Sequence, residues 1–200
     1  MTVSRSTPRL RLTALLLLGV IALVATTERT LATGLAGLQL QLGGLACIVC
    51  AALGRIWASV FIAGYKDTQL VRGGPYAVLR HPLYAMSLLA MLGAGLTTRS
   101  ATLTGVLLVV FAAIYTVAAR EEDGFLRSAH GEAFDRYSRE VRAFRPRWSA
   151  YAVPEVLEVR PRVLWKAFLD AGTLLGYWAV LVLADALQRA ALTPTWTTLP

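Results

Sequence analysis

Two short polar segments, set between long apolar runs, carry the residues of this chain that could do chemistry. The first reads "VRGGPYAVLRHPLYAMSLL" at positions 71–89 and contains Arg80 and His81. The Gly-Gly-Pro sequence at 73–75 cannot continue a helix, whereas Pro82 is tolerated in the first turn of one. The pattern therefore predicts a polar loop that leads into a helix.

This loop could hold an anion. Backbone amides at the start of a helix lack intrahelical partners, and helix amino termini bind carboxylates and phosphates. Arg80 and His81 would add side-chain donors at the same place. The alternative is an interfacial loop in which Arg80 binds a lipid phosphate and Tyr76 and Tyr84 lie in the aromatic belt of the bilayer.

The second segment is acidic and then amphipathic. Glu121, Glu122 and Asp123 directly follow an apolar run, where carboxylates are costly unless they have partners. Downstream, apolar residues recur at intervals of three and four and predict an amphipathic helix: Phe125, Leu126, Ala129, Ala133, Phe134, Tyr137 and Val141. A helix lying on the bilayer would explain this pattern, but such a helix prefers basic residues and gains nothing from three acids.

The elements that position these segments are predicted to lie in a membrane. The 200 residues are 56% hydrophobic, with a mean hydropathy of +0.56, which is more apolar than one soluble domain needs. We predict an all-α integral membrane protein with about five transmembrane helices, at Leu12–Thr27, Leu35–Tyr65, Leu83–Thr98, Ala101–Ala119 and Val163–Leu187. A cleaved signal peptide is the alternative for the first run. Cys47 and Cys50 lie inside an apolar run without enough other ligands for a metal site, so we expect them to be packing residues.

The basic residues indicate the orientation. The chain carries 20 Lys and Arg and a formal net charge of +8. Sixteen of these residues fall before the first run, between the second and third, or from the end of the fourth to Lys166 at the start of the fifth. The positive-inside bias then places the amino terminus and both polar segments in the cytoplasm. A basic face of this kind attracts anionic lipid headgroups, so we expect membrane lipids and no nucleic acid as partners.

Taken together, the two segments resemble a known family. "GGPYAVLRHPLY", a helical hairpin, "REED" and "HGEAFDRYSREVRAFRP" resemble the carboxy-terminal core of the isoprenylcysteine carboxyl methyltransferases and their relatives, the phospholipid methyltransferases. The resemblance covers Gly74 to Pro146, over a third of the chain. Three positions depart from the family's pattern: Met86 replaces a frequent Gly, Phe134 replaces a Tyr, and His130 replaces a Phe.

The resemblance implies an S-adenosylmethionine pocket on the cytoplasmic side, formed by loops and the amphipathic helix. It implies that Tyr76, His81, Pro82 and Tyr84 help to build the pocket and that Glu121 and Glu122 close it. Because Arg80, His81 and the loop amides could hold the cofactor's carboxylate, we expect the cofactor-binding residues to be Gly74, Pro75, Tyr76, Arg80, His81, Pro82, Tyr84 and Glu122. Whether the family's acid pair corresponds to Glu121-Glu122 or to Glu122-Asp123 stays open. The implied domains are membrane helices at 1–69, a methyltransferase core at 70–148, and a linker with a final membrane helix at 149–200.

The acceptor would be lipophilic, either an isoprenylcysteine-type carboxylate or a lipid headgroup. A carboxylate acceptor needs an Arg to position it, and Arg139 and Arg142 are the nearest in sequence. An amine acceptor must lose a proton, and Glu121 would then serve as the base. Two alternatives remain: an NADPH-dependent membrane reductase of the sterol-reductase type, and a structural membrane protein without activity.

Overall fold

Four long or central helices make the body of the protein. The computed structural model describes residues 15, 18–22, 27–29, 34–62, 69–155, 157, 159–190 and 197–199. The helices are α1 (Gly34–Ile62), α2 (Pro75–Val78), α3 (Pro82–Thr98), α4 (Ala101–His130), α5 (Glu132–Glu140) and α6 (Pro161–Arg189), with a 3₁₀ turn at Trp148–Ala150. The all-α prediction is confirmed for the body of the protein; two three-residue strands, β1 (Thr27–Arg29) and β2 (Thr197–Leu199), pair in parallel beside it.

Three helices are long and apolar enough to cross a bilayer. They are α1, α4 and the Pro161–Gln188 part of α6, and they make the chain an integral membrane protein. The third predicted span corresponds to α3, an apolar helix that is shorter than a full span. Most of the first predicted span lies outside the described residues. The part of it at residues 18–22 is described and is helical. Three of the five predicted spans are therefore confirmed.

Helix α3 is central, because it packs against α1, α4 and α6. Small residues let the backbones approach closely, as is common between membrane helices. A methyl group added to Gly44 of α1 would lie 2.6 Å from the Gly93 carbonyl oxygen of α3, so no larger residue fits there without a shift. The cavity described below lies at the end of the bundle where α1 ends and α3 begins.

The predicted hairpin of α3 and α4 is present. Its turn is Arg99 in the left-handed conformation, at φ 57°, followed by Ser100, whose side chain accepts a hydrogen bond from the Leu103 amide and caps α4. One boundary was wrong: α4 does not stop at Ala119 but continues through the acidic residues to His130.

The predicted single amphipathic helix is divided in two. Gly131, at φ 51°, ends α4 and starts α5. Phe134, Tyr137 and Val141 then form a small buried cluster against Leu70 and Leu126. The apolar face of α5 thus packs on the protein, next to the polar loop, and does not lie on the bilayer.

Two polar contacts hold α6 against the other helices. At the far end of the bundle from the cavity, Asp185 accepts hydrogen bonds from Arg99 and from Gln41. Nearer to the cavity, Asp170 accepts from Arg55. Because ionised side chains are rare between membrane helices, both contacts need a physical explanation.

Candidate functional site

A cavity of about 360 Å³ opens where the polar loop, the acidic end of α4 and the short helix α5 meet. This volume lies within the roughly 300–1,000 Å³ that is usual for small-molecule sites. The lining residues are Ile62, Gln69, Leu70, Val71, Tyr76, Arg80, Tyr84, Ala118, Glu121, Glu122, Phe125, Leu126 and Tyr137. The two polar segments that the sequence singled out therefore do meet at one cavity.

One wall of the cavity is an ionic cluster centred on Asp123. One carboxylate oxygen of Asp123 accepts a hydrogen bond from an Arg80 terminal nitrogen at 2.8 Å, and the other lies 2.9 Å from His81 Nε2. The other terminal nitrogen of Arg80 donates to the carbonyl oxygens of Ser138 and Val141. The side chains of Arg80 and His81 are only 13% and 3% exposed, so this cluster ties the loop to α4 and α5.

Glu122 and His81 lie close together, although only Glu122 is among the lining residues. Glu122 Oε2 lies 3.6 Å from His81 Nδ1. Glu121 and Glu122 both line the cavity, while Asp123 faces Arg80 and His81 behind them. The three acids therefore differ in position. Glu121 and Glu122 reach the cavity, whereas Asp123 supports the loop.

The Tyr76 hydroxyl is a polar group that no described residue satisfies. Tyr76 is 7% exposed, lines the cavity, and its hydroxyl is buried without a hydrogen-bond partner in the part of the chain that the structure describes. Burial and the nearby Glu122 charge raise the pKa of Tyr76 well above its usual 10, so the hydroxyl keeps its proton. A buried hydroxyl of this kind is a hydrogen-bond donor available to a ligand.

Six of the loop amides that were expected to be free for an anion are engaged within the protein. The amides of residues 74, 76, 77, 79, 80 and 81 all donate to backbone carbonyls, among them Ala152, Arg142 and Ala143. Gly74 is at φ 57° and a methyl group on it would lie 2.3 Å from the Phe61 ring. Gly74 and Pro75 are buried outside the lining residues, so their evident role is to let the loop pack on α1.

Tyr84 links the cavity to the membrane helices. Pro82 is in the first turn of α3, as predicted, and Tyr84 follows it. The Tyr84 ring stacks between His81 and Tyr115, with centroid distances of 5.5 Å on both sides. The stack places an aromatic surface on the cavity wall that lies toward the hydrocarbon.

Arg139 and Arg142 are exposed and are not lining residues of the cavity. Arg142 contributes its carbonyl oxygen, which accepts from the Arg80 amide at 2.9 Å. The structure therefore does not bring these two guanidinium groups to the acids.

The three departures from the family pattern have separate surroundings. Met86 packs against Gly54 of α1, where an added methyl group would lie 2.3 Å from the Met86 sulfur. Phe134 is fully buried, and the guanidinium groups of Arg80 and Arg127 lie 5.9 and 5.6 Å from its ring centroid. His130 is at the end of α4. None of them lines the cavity.

Sequence reasoning underestimated Asp123. It was noted only as one possible member of an acid pair, although it holds both Arg80 and His81. A signal was available: adjacent basic residues at the start of one helix and an acidic run near the end of the next are brought together when the two form a hairpin. Which of three consecutive acids faces the loop depends on the rotation of α4, which the acidic run does not reveal.

The electrostatics of His81 give a testable pH dependence. Burial alone would lower its pKa, but the hydrogen bonds to Asp123 and Glu122 and their negative charges outweigh burial, so the pKa is raised from 6.5. A raised pKa in the folded state means that the stabilisation from His81 is fully present below about pH 6.5 and is lost as the pH rises through the folded-state value.

We therefore expect the thermal midpoint of the wild type to exceed that of His81→Gln most at the acidic end of the range from about pH 6 to pH 9, because the bound proton then contributes fully. The difference should shrink as the pH rises. The measurement is intrinsic-fluorescence melting in detergent, with His130→Gln as the control for loss of an imidazole elsewhere. A difference that is constant or grows with pH would contradict this assignment.

Comparison with known proteins identifies relatives of this chain. The phospholipid methyltransferase family model matches residues 27–133, which include α1, the first polar segment and the acidic part of the second. The chain is 38% identical over 158 residues to the cobalt-zinc-cadmium resistance protein CzcN of Cupriavidus metallidurans, covering 79% of this chain and 72% of that protein. It is 34% identical over 157 residues to the nickel-cobalt-cadmium resistance protein NccN of Alcaligenes xylosoxydans xylosoxydans, covering 78% and 73%. No solved structure matches the chain.

Proposed function

The chain belongs to the phospholipid methyltransferase family, and from that premise we propose that it is an S-adenosylmethionine-dependent methyltransferase acting on a lipophilic acceptor. The observation that carries the proposal is the cavity at one end of the bundle. Its polar lining includes two glutamates and a buried tyrosine hydroxyl that has no partner among the described residues. The narrower resemblance to isoprenylcysteine carboxyl methyltransferases stays a prediction.

The lining residues fit this cofactor. When bound, S-adenosylmethionine supplies an electrophilic methyl group on a positively charged sulfonium. Glu122 would hold its ammonium group or its ribose hydroxyls, and the charges of Glu121 and Glu122 suit a cationic ligand. The Tyr76 hydroxyl would donate a hydrogen bond, and the Tyr84 ring would supply an apolar wall. Arg80 and His81, which the sequence assigned to the cofactor directly, would instead hold this wall in place through Asp123.

The same lining disfavours NADPH. Dinucleotide phosphates require cationic side chains or free amides, and the guanidinium of Arg80 already donates to Asp123 and to two carbonyl oxygens. Two glutamates beside the phosphates would add repulsion. The reductase alternative is therefore weaker than the methyltransferase proposal.

The acceptor is better matched by a group that loses a proton than by a carboxylate. Glu121 lies at the cavity and is solvent-exposed, so it is placed to take a proton from an amine or hydroxyl and to release it. Arg139 and Arg142, which would have positioned a carboxylate, lie outside the lining residues. We therefore propose that the acceptor is a lipid whose amine or hydroxyl group gives up a proton when it is methylated.

Orientation and physiological setting follow as parts of the proposal. The excess of basic residues on the loops at the cavity end supports a cytoplasmic cavity and amino terminus. The names of the two relatives support a setting of metal resistance. Among the described residues there is no group of three or more His, Cys, Asp or Glu that could hold a metal ion, so the proposal centres on methyl transfer.

The test is retention of labelled ligand by the purified protein in nanodiscs. We expect tritiated S-adenosylmethionine to be retained and displaced by S-adenosylhomocysteine, and NADPH not to be retained. Glu122→Gln should lower the affinity about tenfold, because a charge-assisted hydrogen bond is lost. Glu140→Gln, on the exposed end of α5, is the matched control and should bind as the wild type. Retention of NADPH, or of neither ligand, would refute the proposal.

A further inference from the structure

The two ion pairs on α6 differ in their exposure: Arg99–Asp185 is buried, whereas Arg55–Asp170 is partly exposed. The Arg99 and Asp185 side chains are 9% and 0% exposed, and both carboxylate oxygens of Asp185 accept hydrogen bonds, one from Arg99 and one from Gln41. The carboxylate of this pair is buried, and both of its oxygens are satisfied. Asp185 therefore offers no open oxygen to a ligand.

The Arg55–Asp170 pair is open. The Arg55 and Asp170 side chains are 22% and 45% exposed. The two hydrogen bonds that Arg55 donates to Asp170 both go to Oδ2. The other oxygen, Oδ1, accepts no hydrogen bond from the residues that the structure describes. Phe168 and Leu169, which point to other faces of α6, are 51% and 55% exposed, so much of the helix surface around this half-exposed carboxylate is apolar and outward-facing.

The depth of the pair corresponds to the polar edge of the bilayer. Trp165, 66% exposed, and Lys166 precede Asp170 by five and four residues of α6, or roughly 6–8 Å along the helix axis. Exposed Trp and Lys are typical of the membrane interface. Asp170 therefore lies where lipid headgroups join the acyl chains, and its open carboxylate oxygen can accept a hydrogen bond from a headgroup donor.

The pair is also connected to the cavity. The guanidinium of Arg55 donates to the Ser87 hydroxyl of α3, and Tyr115 of α4 contacts the Ser87 side chain. The Tyr115 ring stacks on Tyr84, which lines the cavity. One continuous set of side chains thus runs from the lipid-facing pair to the proposed site of methyl transfer.

We propose that Arg55 and Asp170 form a lipid-headgroup subsite that binds phospholipids whose headgroups carry an N–H or O–H donor. The donor satisfies Asp170 Oδ1, and Arg55 holds the carboxylate in place. A headgroup without such a donor, such as choline, leaves Oδ1 unsatisfied. That the bound lipid is the methyl acceptor rests on the proposed function; the binding preference itself does not.

The test is native mass spectrometry of the protein released from nanodiscs made of equal parts of phosphatidylethanolamine, phosphatidylglycerol and phosphatidylcholine. We expect the wild type to retain the first two about tenfold over the third, because one charge-assisted hydrogen bond distinguishes them. Arg55→Met with Asp170→Leu removes both charges together and should abolish the preference. Asp170→Glu keeps the carboxylate and should keep the preference, so a folding defect in the double variant would not obscure the result.

Thr173→Val is the matched control. Thr173 is exposed one turn further along α6, and its hydroxyl donates to the Asp170 carbonyl oxygen. Its variant should retain lipids as the wild type does. The subsite is refuted if the wild type shows no preference, if the double variant keeps it, or if Thr173→Val loses it.

Ligand retention on the same samples separates the two proposals. A lipid preference that depends on Asp170, in a protein that does not retain S-adenosylmethionine, would leave the subsite standing and refute the methyltransferase. Retained S-adenosylmethionine without any lipid preference would do the reverse. If the protein both retains S-adenosylmethionine and shows the lipid preference, the ethanolamine, glycerol and choline lipids are each supplied alone in a methyl-transfer assay. Methylation of the preferred lipid would show that it is the acceptor, and its absence would show that the lipid is only a neighbour in the bilayer.

Discussion

Asp185→Ala should destabilise the protein by about 3–5 kcal/mol, the usual cost of breaking a buried ion pair by removing one partner. Asp185 is fully buried and accepts from Arg99 and Gln41, which come from two other parts of the bundle. The variant leaves the Arg99 charge without its carboxylate at the turn between α3 and α4. We expect a large fall in the thermal midpoint and in the monodisperse fraction on size-exclusion chromatography.

The control for this prediction removes the charge left behind. Replacing Arg99 with Met in addition to Asp185→Leu should recover much of the lost stability, since apolar replacements for buried ion pairs are often neutral or better. Recovery would show that the single variant suffers from an unpaired charge. If Asp185→Ala melts like the wild type, the pair does not hold α6 in place.

Asp123→Asn should have the second largest effect, and it should act on the candidate site. The change keeps the shape of the side chain but removes the charge that holds Arg80 and His81. Each lost charge-assisted hydrogen bond costs about 1.5–3 kcal/mol, and the mostly buried Arg80 is left without its carboxylate partner. Under the proposed function we expect S-adenosylhomocysteine affinity to fall by more than tenfold, measured by isothermal titration.

A matched control for Asp123→Asn lies nearby. Asp135 of α5 also pairs with an arginine, Arg127, but their side chains are 44% and 59% exposed. Exposed ion pairs contribute about 0–1 kcal/mol, so Asp135→Asn should melt and bind as the wild type does. Equal losses in both variants would show that any removed aspartate has this effect and that the cluster at Asp123 is not special.

Local chemistry explains why parts of the fold could be predicted. Apolar runs predict helices because a backbone in hydrocarbon must satisfy its own hydrogen bonds. Pro82 predicts the start of α3, since proline tolerates only the first turn. The end of α4 was misplaced at Ala119 because charge marks where hydrocarbon ends, whereas the helix continues to His130, just before Gly131 takes a positive φ.

The candidate site was predicted in its composition and only partly in its geometry. Tyr76, Tyr84 and the two glutamates do line one cavity. Gly74 was assigned to the cofactor, yet its place is set by the Phe61 ring packed against it. Such contacts join residues far apart in the chain, and no local pattern encodes them.

By itself the sequence determined the membrane class of this protein, the positions of its helices and the two polar segments that meet at the cavity, because these follow from hydrophobicity, from backbone restrictions at Gly and Pro, and from residue type. Only the tertiary structure decided which acid faces the loop, that the guanidinium of Arg80 is engaged within the protein, and that Asp170 is open while Asp185 is closed. These depend on the rotation and packing of whole helices, where a turn of 100° per residue separates Glu122 from Asp123. A difference of one residue in sequence thus becomes a difference between touching a ligand and supporting the wall behind it.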